Sequence, residues 1–313
     1  MERPKTNTEF FEMMWTYDKE RANLEEPVPY RPFRICEYFH DQFGWSGSII
    51  PGTTDDICED DFSDRAMLTK AYRWYNSVYG DLVQSKNSLY DIWSLSYIPI
   101  ILGNNAVYSI RIPKIFEKKI IFSIDSDNIE NDNGIICEQG QECIYNVLSL
   151  VNPLPKGLLP YLDDKELNRI KDTAERFYEP IRWMHSFGKR NEYIDQAFKN
   201  YLSSTANIIM QNLSCAKWDA SQAAEKIMKG FLKEKTCESK KNHNFEELRE
   251  TIKRCSMVDV PKYLIYRAYC PAKNRYKNTD LKLAECVDAN HAALEIAKIL
   301  CDYTYSSDSV ITC

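Results

Sequence analysis

The sequence predicts an α+β protein: a mixed α+β domain over residues 1–188, followed by an all-α antiparallel helical bundle over residues 189–313. Three observations lead there. Trp93, Leu95 and Tyr97 alternate with Ser94 and Ser96, which is the period of a strand, and Val107 to Ile112 continues the extended pattern. From Ile194 to Tyr303 apolar residues recur instead at the three- and four-residue steps of helices. Between these patterns Ser186-Phe187-Gly188-Lys189 interrupts both periods and sets the boundary. Runs of strands followed by runs of helices are the mark of an α+β chain.

The elements of the first domain follow in order. Thr8 to Arg21 reads as a helix, with Phe10, Phe11, Met14, Trp15 and Tyr17 crowding one side. Glu25 to Pro32 holds three prolines and is expected to be extended. Tyr38 to Gly52 is aromatic and punctuated by glycine, which suggests strand and loop. Ser63 or Asp64 caps a helix to about Tyr79 whose apolar face is Met67, Ala71, Trp74 and Val78. Trp93 to Tyr97, the turn Gly103-Asn104-Asn105 and Val107 to Ile112 make a hairpin, with Lys119 to Ile124 as a third strand. Asp125 to Gln141 reads as polar loop and Cys143 to Val151 as a short helix. Asp163 or Asp164 then caps a helix striped by Leu167, Ile170, Ala174, Phe177 and Ile181, with Pro180 expected to kink it.

The second domain is expected to hold five helices, near 194–212, 217–234, 244–255, 261–270 and 280–302, joined by short connections that favour antiparallel neighbours. The central one carries Ala220, Ala223, Ala224, Ile227, Met228, Phe231 and Leu232 on a wide apolar face. Its small alanines admit a close partner helix. Ser221, Gln222, Glu225, Lys226 and Lys229 fall on the other side, and Lys226 and Lys229 read as a solvated surface. Gly230 weakens the last turn, so packing must hold it. Asn244 caps the next helix, with Glu247 placed for a capping box. Phe245, Leu248 and Ile252 face inward there, as do Leu283, Val287, Leu294, Ala297 and Leu300 in the last helix.

Composition narrows function. With 313 residues, 44% hydrophobic and 27% charged, the chain is an ordinary globular sequence. A net charge of -6 argues against broad non-specific nucleic-acid binding but leaves room for a local basic patch. Eleven cysteines without a Cys-x-x-Cys fit reduced thiols better than a disulfide framework or a zinc site. No signal peptide and no membrane-spanning apolar run is evident, so a cytoplasmic location without membrane contact is expected. No motif calls for a cofactor or a metal.

The order of pieces after Ile194 carries a resemblance. A Gln222-Ala223-Ala224-Glu225-Lys226 helix is followed by the His243-Asn244 cap, the loop Ala272-Lys273-Asn274-Arg275-Tyr276 and an alanine-rich last helix. This order resembles the HEPN family of small helical domains, over about the last third of the chain. The resemblance implies a helical bundle that binds a nucleotide or RNA and often dimerises through its long helices. Many members are metal-independent ribonucleases whose signature is an Arg followed by a His after four to six residues. Here Arg275 occupies the expected region, but Tyr276 to Lys282 contains no His, and His291 comes too late. The nuclease signature is therefore missing, and the Asn-Arg-Tyr form looks like the non-nuclease branch. Whether the chain is an enzyme stays open.

Under a binding reading Lys273, Asn274, Arg275, Tyr276 and Lys277 form the ligand site, with the guanidinium as a planar fork for phosphate and Tyr276 as a stacking face. The alternative is that Arg275 pairs with Glu225 or another acid across the bundle, and that Asn274 merely stabilises the turn. Two further functional classes stand beside this one: a module that docks another protein or dimerises, and a cryptic metal-independent ribonuclease. His243 is a candidate general base for the last, although an Asn-capped turn explains it as well. Arg34 and His40 match the nuclease spacing in the wrong context. Gly47-Ser48 with Asp55, Asp56, Glu59 and Asp61 hints at a nucleotidyltransferase but lacks the paired-acid order. Asp125, Asp127, Glu130 and Asp132 fail as an EF-hand, since alignment on Gly134 puts Ile129 at the first ligand position.

Overall fold

A computed structural model describes residues 2–46, 60–84, 94–114, 119–127, 129, 135–139, 142–152, 154–236, 243–276 and 281–308. It is an α+β protein with a helical C-terminal bundle. The helices are α1 (Asn7–Asn23), α2 (Ile35–Phe43), α3 (Asp64–Tyr79), α4 (Asp164–Gly188), α5 (Glu192–Ile209), α6 (Leu213–Thr236), α7 (Phe245–Ser256), α8 (Lys262–Ala268) and α9 (Leu283–Asp308). The strands are β1 (Ser94–Leu102), β2 (Ala106–Pro113), β3 (Lys119–Ser123), β4 (Ile135–Gln139), β5 (Glu142–Asn146) and β6 (Val151–Asn152).

By their contacts the residues fall into two compact units that cross the boundary expected at 188/189. The first comprises Met1–Asn87, Leu102–Ala106 and Pro153–Glu166; the second comprises Ser88–Ile101, Val107–Asn152 and Leu167–Cys313. Both sheets and most of α4 thus group with the C-terminal helices. The reason lies in side chains that the periodicity cannot show, above all the donors that reach β1, described below.

In the first unit α1 buries Phe10, Met13, Met14 and Tyr17 and leaves Phe11 exposed. On α3 the face Met67, Ala71, Trp74 and Val78 is buried as the spacing requires. The proline-rich stretch is not extended: Val28–Arg34 is a 3-10 helix, and Ile35–Phe43 continues as α2 where strand and loop were expected. Proline fixes φ near the value a 3-10 turn needs, so it fits there as readily as in extended chain. The turn also delivers Arg31 into the interior, where it is 2% exposed beside Asp18 at 0%. Arg31 Nη1 donates to Asp18 Oδ2 at 3.1 Å and to the Asn104 carbonyl at 2.8 Å. Its Nε donates to the Glu26 carbonyl at 2.8 Å. Asp18 Oδ2 also receives Asn104 Nδ2 at 2.8 Å and the Tyr79 hydroxyl.

Among the described residues the second unit contains two three-stranded sheets, ordered β1-β2-β6 and β3-β5-β4. The expected hairpin is present; its turn, whose residues group with the first unit, uses positive φ at Gly103 (53°) and Asn105 (53°), the residue types that tolerate it. β3 pairs with β5 in parallel from Lys119 opposite Glu142 to Ser123 opposite Asn146, and the first pair closes an ion pair at 3.1 Å. Two expectations change here. The segment read as polar loop contains β4, and the segment read as a short helix begins with β5. Cys143 and Tyr145 are buried at two-residue spacing, a strand period too short to stand out by itself. Helix α4 continues through Pro180, with Ile170, Ala174, Phe177 and Ile181 buried.

In the first of these sheets β1 is the edge strand, and its outward carbonyls are closed by side chains from three helices. Tyr201 of α5 donates to the Tyr97 carbonyl, His291 of α9 to the Pro99 carbonyl at 2.8 Å, and Arg169 of α4 to the Ile101 carbonyl. These positions alternate along one side of the strand, and Pro99 has no N–H to offer there. An edge capped in this way cannot accept another strand.

All five expected bundle helices are present as α5 to α9. α5 and α6 form an antiparallel hairpin, shown by Ser204 Oγ donating to the Ala216 carbonyl and Asn191 Nδ2 to the Gly230 carbonyl, both at 2.9 Å. α6 and α9 run in the same direction, from the Lys217–Glu285 ion pair to the edge-on Phe231–Tyr303 rings. Among the described residues no helix is long and apolar enough to cross a membrane. α6 is the centre, with Ala220, Ala223, Ala224, Ile227 and Met228 all fully buried.

Gly230 explains itself at the α5–α6 crossing. A Cβ there would stand 2.5 Å from Ile194 Cδ1 and 2.7 Å from its Cγ1. Overpacking costs about 1–3 kcal/mol, against roughly 1 kcal/mol gained from helix propensity. Gly230→Ala is therefore expected to lower stability by about 1 kcal/mol, read as a lower urea midpoint at unchanged slope. A higher midpoint would show that Ile194 turns aside without cost.

Candidate functional site around the Ala272–Tyr276 loop

The sequence-derived ligand loop forms one 3-10 turn, Ala272–Tyr276, closed by the Asn274 N–H on the Pro271 carbonyl at 2.9 Å. It packs against α6. Lys273 is exposed and Asn274 is half-buried. For Arg275 and Tyr276 the backbone alone is described, and Lys277 lies outside the described residues. α9 begins at Leu283, three residues later than the sequence spacing suggested.

Beneath the loop, α6 carries a polar row on the side that the periodicity sets away from the alanines. Ser221, Glu225 and Lys229 are 1%, 4% and 6% exposed. The solvated reading of Lys229 is thereby corrected, and Lys226 is half-buried, with burial pushing its ammonium pKa down. Lys229 Nζ lies 2.7 Å from Glu225 Oε1, which supplies the buried carboxylate with its counter-charge. Residues four apart share one helical row, so the three side chains form a single line about 12 Å long.

This line holds both neighbouring chain segments in place. Ser221 Oγ accepts from the Cys270 N–H at 3.1 Å, just before the loop. Glu225 Oε1 lies 2.9 Å from Nδ1 of His243, at the start of α7. Asn244 then caps α7 as expected, accepting from the N–H groups of Glu246 at 3.0 Å and Glu247 at 3.3 Å. The His243 side chain is 78% exposed while Glu225 is buried. With Nδ1–H donated to the carboxylate, Nε2 is left on an exposed ring.

Spacing alone could not single out the row, since α6 also carries Asp219, Gln222, Lys226 and Lys233, none of them buried. What separates the row from them is the chain packed over it, and buried polar groups need internal partners.

The other candidates fall elsewhere. Arg34 pairs with Glu37 at 3.1 Å, and His40 Nδ1 lies 3.2 Å from the Trp45 carbonyl, both local to α2. Gly47, Ser48, Asp55, Asp56 and Glu59 lie outside the described residues, as do Glu130, Asp132 and Gly134. Asp125 is tied by its backbone to Asn146, through bonds of 3.1 and 2.7 Å. Among the described residues no group of three or more His, Cys, Asp or Glu could hold a metal ion. In comparisons with known proteins, no family model, no curated protein and no solved structure matches the chain.

Proposed function

We propose that this chain is a HEPN-like protein that binds a phosphate-bearing ligand, a nucleotide or RNA, at the loop Lys273-Asn274-Arg275-Tyr276-Lys277, and that it lacks the Arg-to-His spacing of the ribonucleases. The observation that supports this reading most is the seating of the loop. A short turn that carries Lys273 and Arg275 rests on a helix whose own buried charges, Glu225 and Lys229, already neutralise each other. Glu225 therefore has a counter-ion without Arg275, whose guanidinium is the group assigned to the ligand's phosphate in this reading. Pairing of two bundles into a homodimer is compatible with the same site.

Calorimetry with ATP, GTP and a short RNA tests it. Arg275→Ala is expected to weaken binding by roughly 1–3 kcal/mol, the range for a lost charged hydrogen bond. Should none of the three bind at low salt, or should Arg275→Ala lower the melting temperature and leave affinity unchanged, the bundle is a protein-docking module instead.

One observation favours a second reading, a metal-independent ribonuclease. The buried Glu225 orients the exposed His243, as a carboxylate orients a general base. Cleavage of RNA in the presence of EDTA that disappears in His243→Ala would establish it. The first reading expects no cleavage.

A further inference from the structure

We propose that the outer face of α8 is a stacking platform for unpaired bases, so that the ligand of the adjoining loop is a single-stranded nucleic acid rather than a mononucleotide. This rests on the reading of the loop given above.

The inward side of α8 is an ordinary core: Leu264 at 1%, Ile265 at 2% and Ala268 at 0% exposure. Its outward side carries tyrosines where a solvated helix would carry charge. Tyr263, Tyr266 and Tyr269 are 57%, 67% and 48% exposed. Tyr263 and Tyr266 lie about 4.5 Å apart along the axis and about 60° apart around it, and Tyr269 follows as the C-cap residue with extended backbone. Two of the rings have neighbours that orient them. The Arg267 guanidinium lies 6.0 Å from the Tyr263 centroid and is itself anchored to Asp288 at 2.6 Å. Tyr269 meets Phe245 edge-on at 5.7 Å. Rings already oriented lose little entropy when a base settles on them.

Charge and continuity identify the occupant. Exposed Lys262, which lies 4.0 Å from Glu246, precedes the three tyrosines and exposed Lys273 follows them, one cation at each end of the row. From Tyr269 the chain runs through Cys270, which α6 pins by Ser221, directly into the proposed phosphate-binding loop. A row of aromatic faces leading to a basic turn suits a strand whose bases stack while its phosphates meet cations. A duplex hides its base faces and would gain nothing from the tyrosines.

Fluorescence anisotropy with labelled rU8 and dT8, alongside calorimetry with ATP, tests the proposal. Tyr266→Ala removes an exposed ring and should leave the melting temperature unchanged. It is expected to weaken octanucleotide binding roughly 5- to 100-fold while ATP affinity holds, with Tyr266→Phe restoring it. Tyr263→Ala/Tyr266→Ala should weaken it further. Equal affinity for rU8 and dT8 supports a platform that reads base faces alone; preference for rU8 supports one that also meets the 2′-hydroxyl. If Arg275→Ala weakens both ligands but the tyrosine variants weaken neither, the loop reading stands and the platform is overturned. If neither ATP nor either octanucleotide binds, the loop reading falls and the platform with it. If Tyr266→Ala instead abolishes self-association in sedimentation and leaves octanucleotide binding unchanged, the face is a protein interface and the proposal is overturned.

Discussion

Asp18→Ala is expected to cost the first unit about 3–5 kcal/mol, the loss found when one partner of a buried ion pair is removed. Asp18 is 0% exposed and accepts from Arg31, Asn104 and Tyr79, so truncation strands three donors at once. Most of the cost comes from Arg31, whose charge would stay in the interior without a counter-ion. Asp18→Leu/Arg31→Met removes both charges and should recover much of the loss, because apolar replacements of a buried pair are often near neutral. Urea unfolding followed by near-ultraviolet circular dichroism reads both variants. A single-variant loss under about 1 kcal/mol, or a double variant no better than the single, would show that the pair is not buried as described.

His291→Ala should cost the second unit about 2–4 kcal/mol, from a stranded carbonyl and a cavity together. The Pro99 carbonyl would lose its donor, and Phe177, whose ring centre is 5.1 Å from the imidazole, would lose a neighbour. His291→Phe keeps the volume and removes only the donor, so the difference between the two variants separates packing from the hydrogen bond.

The same residue gives a pH dependence. Burial pushes the His291 pKa down from 6.5 to about 4, overcoming the Pro99 carbonyl and Asp288, which pull it up; Arg267 and Arg169 add to the fall. In the unfolded chain the imidazole titrates near its ordinary value, so between about pH 6.5 and 4 the unfolded state holds the extra proton. Stability then falls as pH falls through that window, by about 3 kcal/mol in all. In His291→Phe this part of the slope should vanish. A shallower remainder should persist from His185, whose pKa is lowered by burial and by Lys189 and Lys114. Asp64 and Asp259, held below the usual carboxylate range, add losses only at lower pH. An unchanged slope in His291→Phe would show that the imidazole titrates normally in the folded protein.

How much of this could be read from the chain depended on how local the cause was. The bundle was legible because helical period, Asn244 and short connections are written within a few residues of where they act. Segments such as Glu142–Asn146 were not, since five residues give too few periods to separate strand from helix, and the parallel partner β3 lies 23 positions away. Arg31 was invisible for the opposite reason: nothing near it in sequence says that Asp18 and Asn104 converge on it. Of the candidate site, the loop and the α7 cap were legible. In the Ser221-Glu225-Lys229 row the burial of Lys229 was not legible, because a lysine on the face away from the alanines reads as solvated. Packing against α5, α7, α8 and α9 decides otherwise. The tyrosines of α8 attracted no notice, since aromatic residues at helical spacing usually mean core.

The closure of the β1 edge has a consequence for the order of synthesis. His291 meets a carbonyl 192 positions earlier in the chain. A ribosome adding roughly 5–20 residues per second needs on the order of 10–40 s to cover that distance. Throughout that interval the nascent chain displays β1 without its last clamp. Stalled or truncated translation products ending before α9 would keep an apolar strand edge open, and are the species expected to recruit holdase chaperones or to aggregate with one another.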